Sequence, residues 1–318
     1  MKHAGNLCVA LTCACAFAGA VSAGDAYPVK PIQVLIPANP GGDTDMTARF
    51  LAKEMEKYFG QPLPIVNMAG AAGTVAANNL VSSPKDGYKT LYFHTDAIVA
   101  NLLGMSPYKW DEIFAVAGIP ASVADFGLFT HKDSPFSTIA ELVAHAKGLG
   151  NGKLRYATDT GSINQVLGRL IQKRTGLAFI EIDGGNAADR VAALLGKRID
   201  LVSLPYSVAK PYMESGDFKC MGIMAEGRND FLPDVPTFRE QSLDIAYVKF
   251  FFFGFAKGTV QSQVDAFSAA MAKAVGSPEY AESIARYNMI PKFLDPGESA
   301  EFMKAREAEY KKYIEEIL

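Results

Sequence analysis

Two stretches of this sequence repeat the same order of parts, and that repetition limits the folds available to the chain. In the first, an apolar run at residues 32–36 is followed by a loop rich in proline and glycine and then by residues 46–59, whose apolar positions recur at helical spacing. In the second, residues 154–157 are followed by a Gly/Ser loop and by the helical segment 166–175. Repeated units of strand, loop and helix predict an α/β architecture with parallel strands.

The loop in each unit has the features of an anion-binding site. Backbone N–H groups at the start of a helix lack intrahelical partners, and the helix dipole makes that end positive. Glycine at such a position permits a sharp turn and the close approach of a ligand. We predict Thr44 or Asp45 as the N-cap of the first helix. The predicted binding residues of the first loop are Asn39, Pro40, Gly41, Gly42, Asp43, Thr44 and Asp45.

Other polar loops follow neighbouring strands, and ligands of parallel sheets bind outside the carboxyl ends of the strands. A loop of small residues, 67–74, opens another helix, and a third strand at residues 90–93 ends in His94-Thr95-Asp96. In the later part of the chain, strands end near Asp183 and Tyr206. The predicted binding residues beyond the first loop are Ala72, Gly73, Thr95, Asp96, Thr158, Thr160, Gly161, Ser162, Asn164, Asp183 and Tyr206.

The order of the strands predicts two domains joined by two crossings of the chain. An intensely apolar strand at residues 249–256 returns after the second set of units. With crossings near residues 123–126 and 247–251, the first domain comprises residues 24–124 and 249–318, and the second comprises residues 125–248. Clefts between domains are preferred ligand sites, so the facing loops predict a binding cleft.

The first 23 residues have the pattern of a secretory signal peptide. A basic start precedes an apolar run at residues 7–18, which is too short to span a bilayer as a helix. Small residues then lead to a cleavage site after Ala23, with Ala26 as the alternative. Three of the four cysteines lie in this segment, so only Cys220 remains and no internal disulfide or cysteine metal cluster is expected. The formal net charge of −3 argues against nucleic acid as a partner.

Several motifs also occur together and in order along the chain. They are Pro40-Gly41-Gly42-x-x-Asp45, Asn67-x-x-Gly70-Ala71-x-Gly73, Pro84-x-Asp86-Gly87-Tyr88 and Leu232-Pro233-Asp234-Val235-Pro236-Thr237. In this combination the chain resembles the tripartite tricarboxylate transporter receptors, also called the Bug family of periplasmic solute-binding proteins.

The resemblance implies a type II periplasmic-binding-protein fold, with two α/β domains, a ligand cleft between them and two crossover connections. It implies a periplasmic, monomeric binding protein without cofactor, metal or catalytic residues. Such a protein captures a small carboxylated solute, closes over it and delivers it to a membrane permease with one large and one small subunit. In the family, backbone N–H groups and ordered water hold the ligand carboxylate, and the corresponding loops here are residues 39–45 and 158–164.

The sequence departs from the family pattern in the second of these loops. Asp159 and Thr160 stand before Gly161-Ser162 where glycine is usual, and Asn164 follows where histidine is frequent. Together with Asp43, Asp96 and Asp183, Asp159 places four acidic side chains near the expected cleft. They either cap helices and turns, or they select a solute that carries an amine or several hydroxyl groups besides its carboxylate.

Two other functions stay open on the sequence. A sensory protein that presents its loaded form to a receptor would have the same sequence features. An enzyme would use Asp43 and Asp45, an Asp-x-Asp arrangement that binds a divalent cation in metal-dependent sugar transferases. Against an enzyme, the four histidines lack metal-ligand spacing, and neither a Gly-x-Ser-x-Gly elbow nor a phosphate-binding Gly-x-x-x-x-Gly-Lys-Ser/Thr loop occurs. The single tryptophan, Trp110, lies in a polar segment and is expected at the surface.

Overall fold

The fold is described from a computed structural model that covers residues 27–122, 126–225, 227–228, 232–286 and 289–318. The predicted signal peptide, both of its cleavage sites and residues 123–125 of the first crossing lie outside the described residues. Within the described ranges, no helix is both long enough and apolar enough to cross a membrane.

The first of two sheets is mixed and has six strands. They are β1 (Gln33–Ile36), β2 (Ile65–Asn67), β3 (Lys89–His94), β4 (Phe114–Ser122), β10 (Phe250–Ala256) and β11 (Ile290–Leu294), in the spatial order β11-β4-β10-β3-β1-β2. The strand β1 pairs in parallel with β2 and β3, as the repeated units predict. The late strand β10 runs antiparallel to β3 and β4, and β11 runs antiparallel to β4.

Helices cover both faces of this sheet. They are α1 (Asp43–Phe59), α2 (Thr74–Val81), α3 (Asp96–Leu102), α4 (Trp110–Ile113), α9 (Gln261–Val275), α10 (Pro278–Ala285) and α11 (Pro296–Ile317). The central strand β10 shows the arrangement through its phenylalanines, which alternate between faces at the strand period of two. Phe251, Phe253 and Phe255 pack with α1, α9 and α10, whereas Phe250 and Phe252 pack on the other side with α2, α3 and α11.

The second sheet has five strands. They are β5 (Phe126–His131), β6 (Leu154–Thr158), β7 (Phe179–Asp183), β8 (Leu201–Pro205) and β9 (Phe218–Ile223), in the order β7-β6-β8-β5-β9. The strand β6 pairs in parallel with β7 and β8, whereas β5 is antiparallel to β8 and β9. Its helices are α5 (Ile139–Leu149), α6 (Ile163–Thr175), α7 (Ala187–Leu195) and α8 (Tyr206–Glu214). Every strand of each sheet comes from one of the two predicted domain segments; the boundaries themselves stay predictions.

The long helix α11 touches both halves of the molecule and the second crossing. The hydroxyls of Tyr310 and Tyr313 donate to the carbonyl oxygens of Val248 and Ala246, at 2.9 and 3.1 Å. Glu316, at the end of α11, forms a bidentate ion pair with Arg174 at the end of α6, with Nη2–Oε2 at 2.6 Å. The last helix of the chain is therefore fastened to the return crossing and to the second sheet.

Some elements differ from the prediction. Helices α3 and α8 were not predicted: the first is short, and the second contains Pro211, a residue that usually ends a helix. The strand β11 was not predicted; its Pro291 lies on an edge strand, where proline is tolerated. The expectation for Trp110 was wrong, since it is 4% exposed and its indole N–H donates to Glu307 at 2.9 Å.

One glycine tests how closely α6 packs on β6. A Cβ at Gly168 would lie 2.4 Å from Cε1 of the buried Tyr156. We expect Gly168→Ala to lower the free energy of unfolding by roughly 1–3 kcal/mol, through overpacking. The matched control is Gly148→Ala in the exposed part of α5, where a Cβ would meet nothing within 4 Å. Because alanine favours helix over glycine, this control should be neutral or stabilising by up to about 1 kcal/mol. Equal urea midpoints for the two variants would contradict the close packing.

Candidate functional site

The first loop presents an open helix start. Residues 39–42 are exposed, α1 begins at Asp43, and Gly42 is the N-cap without any side-chain cap hydrogen bond. The prediction of Thr44 or Asp45 as N-cap was wrong, because both lie buried within the first turn. The amide N–H groups of Gly42 and Asp43 donate to no residue in the described part of the chain. This end of the helix therefore offers two free donors to an anion.

The carboxylate of Asp45 holds this loop in shape. It accepts hydrogen bonds from the amide of Gly41 at 3.0 Å, from Arg49 Nε at 2.9 Å and from Asn67 Nδ2 at 2.8 Å. Burial raises the pKa of Asp45, but these hydrogen bonds outweigh burial and the pKa lies below its usual value. Asp45 is thus a structural residue that joins the loops after β1 and β2.

The carboxylate of Asp43 turns away from solvent to a lysine of the second crossing. Its Oδ2 lies 2.6 Å from Nζ of Lys249, and both side chains are largely buried, with 14% and 10% exposed. Burial raises the pKa of Asp43, but the charge and hydrogen bond of Lys249 bring it below the usual value. The ammonium of Lys249 also lies 5.3 Å from the ring centre of Phe251. This pair fixes the first turn of α1 to the crossing between the domains.

The second loop is organised around Asp159. Its Oδ1 accepts hydrogen bonds from Ser162 Oγ at 2.6 Å, Asn164 Nδ2 at 2.8 Å and Arg190 Nη1 at 2.8 Å. Ser162 is the N-cap of α6 and accepts the amide of Asn164 at 3.1 Å. Arg190 is 4% exposed and also donates to the carbonyl of Gly185 at 2.8 Å. The acid therefore shapes the loop, and a buried guanidinium balances its charge.

The two halves meet at Asp96, the first residue of α3. Its Oδ1 accepts the amide N–H of Ile163, at the start of α6, across the cleft at 3.4 Å. Its Oδ2 lies 3.7 Å from Nδ1 of His94, whose pKa is lowered to about 3 by burial and by Lys249. Burial, and next the charge of Asp159, raise the pKa of Asp96 to about 7. The carboxylate of Asp96 thus occupies the start of α6, a position at which the anionic group of a ligand would also bind favourably.

Met105 makes a second contact across the cleft. A Cβ at Gly161 would lie 3.0 Å from Cγ of Met105, and Gly161 has a φ of +79°, which disfavours other residues. The loop after α3 therefore packs against the second loop, residues 158–164.

The remaining predicted residues lie in different places. Thr160 is exposed, with its hydroxyl 3.4 Å from Oδ2 of Asp183 at the rim. Thr158 is buried at the end of β6. Thr95 lies inside, where its hydroxyl accepts the amide of Phe250 at 3.2 Å. Tyr206 packs in the core of the second half.

Ala72 and Gly73 lie in the loop after β2, where they line a separate small cavity together with Phe93, Ala97 and Tyr108. Asp96 and the second loop are therefore brought together, whereas Thr95 and Tyr206 pack in the interior.

Sequence reasoning missed the two cations that balance the acids, Lys249 and Arg190. Each left a signal. Lys249 stands alone before a run of four phenylalanines, and Arg190 lies on the same face of α7 as the buried Val191 and Leu194. A charged residue among buried positions requires a partner, and that partner was an acid of a predicted loop.

A metal-dependent site at Asp43 and Asp45 has no support in this arrangement. Each carboxylate is already bonded to a cation, Lys249 or Arg49. Among the described residues, no group of three or more His, Cys, Asp or Glu side chains is placed to hold a metal ion.

The comparisons with known proteins give one consistent result. The family model described as tripartite tricarboxylate transporter family receptor matches residues 47–318. A UPF0065 protein in the gbd 5′ region of Cupriavidus necator is 31% identical over 305 residues, which cover 92% of this chain and 89% of that protein.

Solved structures agree in fold. A TctC solute-binding protein from Polaromonas is similar with a TM-score of 0.72 and 26% identity, over 91% of this chain and 99% of that one. MatC from Rhodopseudomonas palustris, solved with bound malate, has a TM-score of 0.81 at 22% identity, over 91% of this chain and all of that one. The predicted fold class, that of periplasmic solute-binding proteins, is confirmed.

The raised pKa of Asp96 predicts a pH-dependent stability. The folded chain holds this proton up to about pH 7, whereas an unfolded aspartate loses it near 3.9. Ionised Asp96 therefore lowers the stability increasingly as the pH rises from about 4 to 7. At pH 8 we expect Asp96→Asn to raise the free energy of unfolding, measured with urea, by on the order of 2 kcal/mol over the wild type. At pH 4 the two proteins should differ little. An equal gain at both pH values would contradict ionisation as its cause.

The buried pair predicts a strong coupling. Lys249→Met leaves Asp43 charged and unpaired, and we expect a loss of roughly 3–5 kcal/mol. Adding Asp43→Asn should restore part of that loss, because it removes the stranded charge. The control is Arg286→Ala, which breaks an exposed pair with Glu282 and should cost less than about 1 kcal/mol. Additive losses in the double variant, measured by urea unfolding, would show that the two side chains do not depend on each other.

Proposed function

Because this chain belongs to the tripartite tricarboxylate transporter family of receptors, we propose that it captures a small carboxylate-containing solute between its two domains. The observation that carries the proposal is the start of α1, where the amides of Gly42 and Asp43 have no partner among the described residues. The helix α6 starts in the same way after β6, but its first amides donate to Asp96 and Ser162 in the described conformation. The family consists of receptors rather than enzymes, and so no catalytic step is assigned.

The first loop supplies donors without a direct ion pair to the solute. The amides of Gly42 and Asp43 have no partner among the described residues, and Lys249 is already paired with the carboxylate of Asp43. Neutral backbone donors hold a carboxylate less tightly than a bidentate arginine, which suits a protein that must release its solute. MatC contains malate, a dicarboxylate, and this supports the same ligand chemistry here.

The second domain closes the site from the other side. In the described conformation Asp96 and Met105 already touch the loop at the start of α6, so the halves are in contact. A solute that bridges both loops would stabilise this closed arrangement relative to an open one, in proportion to its extra contacts in the closed form.

Export and delivery complete the proposal. The first 23 residues act as a signal peptide, and the mature, monomeric protein works in the periplasm, where it passes the solute to a permease with one large and one small subunit. A sensory role, in which the loaded form is presented to a receptor, is the second candidate. Uptake of labelled solute by cells with and without the neighbouring permease genes separates these roles.

A thermal-shift screen tests the binding function. We expect one class among mono-, di- and tricarboxylates, amino acids and aromatic acids to raise the melting temperature. At 100 times its dissociation constant, a ligand adds about 2.7 kcal/mol to stability. Gly42→Leu should abolish that shift without unfolding the chain, since a Cβ there meets only the carbonyl of Asn39 at 3.8 Å.

The control for this variant is Gly148→Leu, on an exposed and remote helix. It should retain the full shift. The proposal fails if no carboxylate of any class stabilises the wild type, and its site is misplaced if Gly42→Leu binds as the wild type does.

A further inference from the structure

The charges that line the closed cleft do not balance. Asp43, Asp96 and Asp159 contribute three carboxyl groups, whereas Lys249 and Arg190 contribute two cations. Each cation already lies within 2.8 Å of one acid, Lys249 beside Asp43 and Arg190 beside Asp159. Asp96 is the acid of the three without a cation in contact. When Asp96 is ionised, a purely anionic solute would add to this excess negative charge, and like charges at close range oppose binding.

Asp96 also has unused hydrogen-bonding capacity. A carboxylate has about four acceptor positions, and in the described residues it accepts one long bond, from the amide of Ile163 at 3.4 Å. Its side chain is 19% exposed, so most of the carboxyl group is shielded from solvent. A buried acceptor with few donors favours a ligand that brings donors.

A second acceptor without a donor lies on the neighbouring residue of α6. Asn164 is 4% exposed, and its Oδ1 has no partner among the described residues. The orientation of this amide is fixed, because Nδ2 donates to the carboxylate of Asp159 at 2.8 Å. The free atom is therefore an oxygen, which requires a donor from elsewhere.

A third group lies in the second crossing. The hydroxyl of Tyr247 is buried, with 1% of the residue exposed, and its approach to the side chain of Thr95 is too long or too bent for a full hydrogen bond. The charge of Asp96 acts on this phenol and helps to raise its pKa, after burial. The ring is packed against Phe126 and Tyr310, with centroids at 5.1 and 5.8 Å, so it cannot turn away.

We propose that Asp96, Asn164 and Tyr247 form a subsite for a protonated amine of the solute, so that the solute is a zwitterion with an ammonium as well as a carboxylate group. This inference rests on the proposed function and adds a substrate class to the same cleft. An ammonium carries three donors and one positive charge. It satisfies the free oxygens and cancels the unpaired charge, whereas a hydroxyl supplies one donor and no charge.

Matched pairs of ligands test this subsite by calorimetry. Each pair has one carbon skeleton with and without the amine: L-aspartate and succinate, L-glutamate and glutarate, L-leucine and 4-methylpentanoate. We expect at least one amino acid to bind the wild type about tenfold or more tightly than its partner. Asp96→Asn should remove that preference, by weakening the amino acid and leaving the deaminated acid unchanged or tighter. The control Asp265→Asn, an exposed residue of α9, should change neither.

The outcomes separate this inference from the proposed function. Deaminated acids that bind as tightly as amino acids overturn the ammonium subsite and leave the carboxylate site standing. L-Malate carries a hydroxyl where L-aspartate carries its ammonium group. Equal affinity for the two would overturn the ammonium subsite and indicate that a neutral hydroxyl donor is sufficient. If no member of any pair binds, the ammonium subsite is overturned, and the thermal-shift screen with the wider set of carboxylates decides the proposed function separately.

Proton exchange on binding gives a second readout that needs no variant. The groups that face Asp96 are His94, Asp159, Arg190, Tyr247 and Lys249. Since its carboxyl group titrates near neutrality, a bound ammonium should release a proton at pH 7, whereas a bound second carboxylate should take one up. Binding heats measured in buffers of different ionisation enthalpy show whether protons are released or taken up on binding. Proton uptake with the bound amino acid would contradict the subsite.

Discussion

The ion pair between Asp43 and Lys249 connects the two features on which the rest of the site depends. Asp43 is the first residue of the helix that opens the first loop, and Lys249 belongs to the return crossing between the domains. Because both side chains are largely buried, neither charge is tolerable without the other. The position of the loop donors is thereby coupled to the position of the crossing, and a movement of one is transmitted to the other.

The acidic loops look unsuitable for an anion until their partners are known. Asp43, Asp45 and Asp159 each bond a cation, and Asp183 accepts an amide in its own loop at 3.2 Å. These carboxylates set the shape of the loops and contribute little net charge to the cleft. Asp96 differs from them, because it lacks such a cation and lies where the halves meet. The chemistry of the site therefore depends on one acid of these five.

The repeated strand, loop and helix units and the loops themselves could be predicted from the sequence, because each is encoded by neighbouring residues. Glycine, proline and apolar spacing were enough to place Gly42, Gly161 and the helices beside them. The partners of the acids could not be predicted in this way, since Lys249 lies 206 positions from Asp43 and only the folded chain brings them together. The same holds for β10, whose antiparallel place in the first sheet is set by distant strands. Local sequence patterns thus predict the loops whose amides can bind an anion, whereas tertiary contacts determine which acids of these loops are neutralised by a cation.

The helix α11 is bonded both to the return crossing and to the second half of the molecule. Tyr310 and Tyr313 hold the return crossing, and Arg174 ties the second half to Glu316 at the end of the same helix. A separation of Asp96 and Met105 from the start of α6 must therefore either leave these contacts of α11 in place or break them. If α11 keeps both sets of contacts, the two halves stay joined along this helix even when the contacts at Asp96 and Met105 are lost.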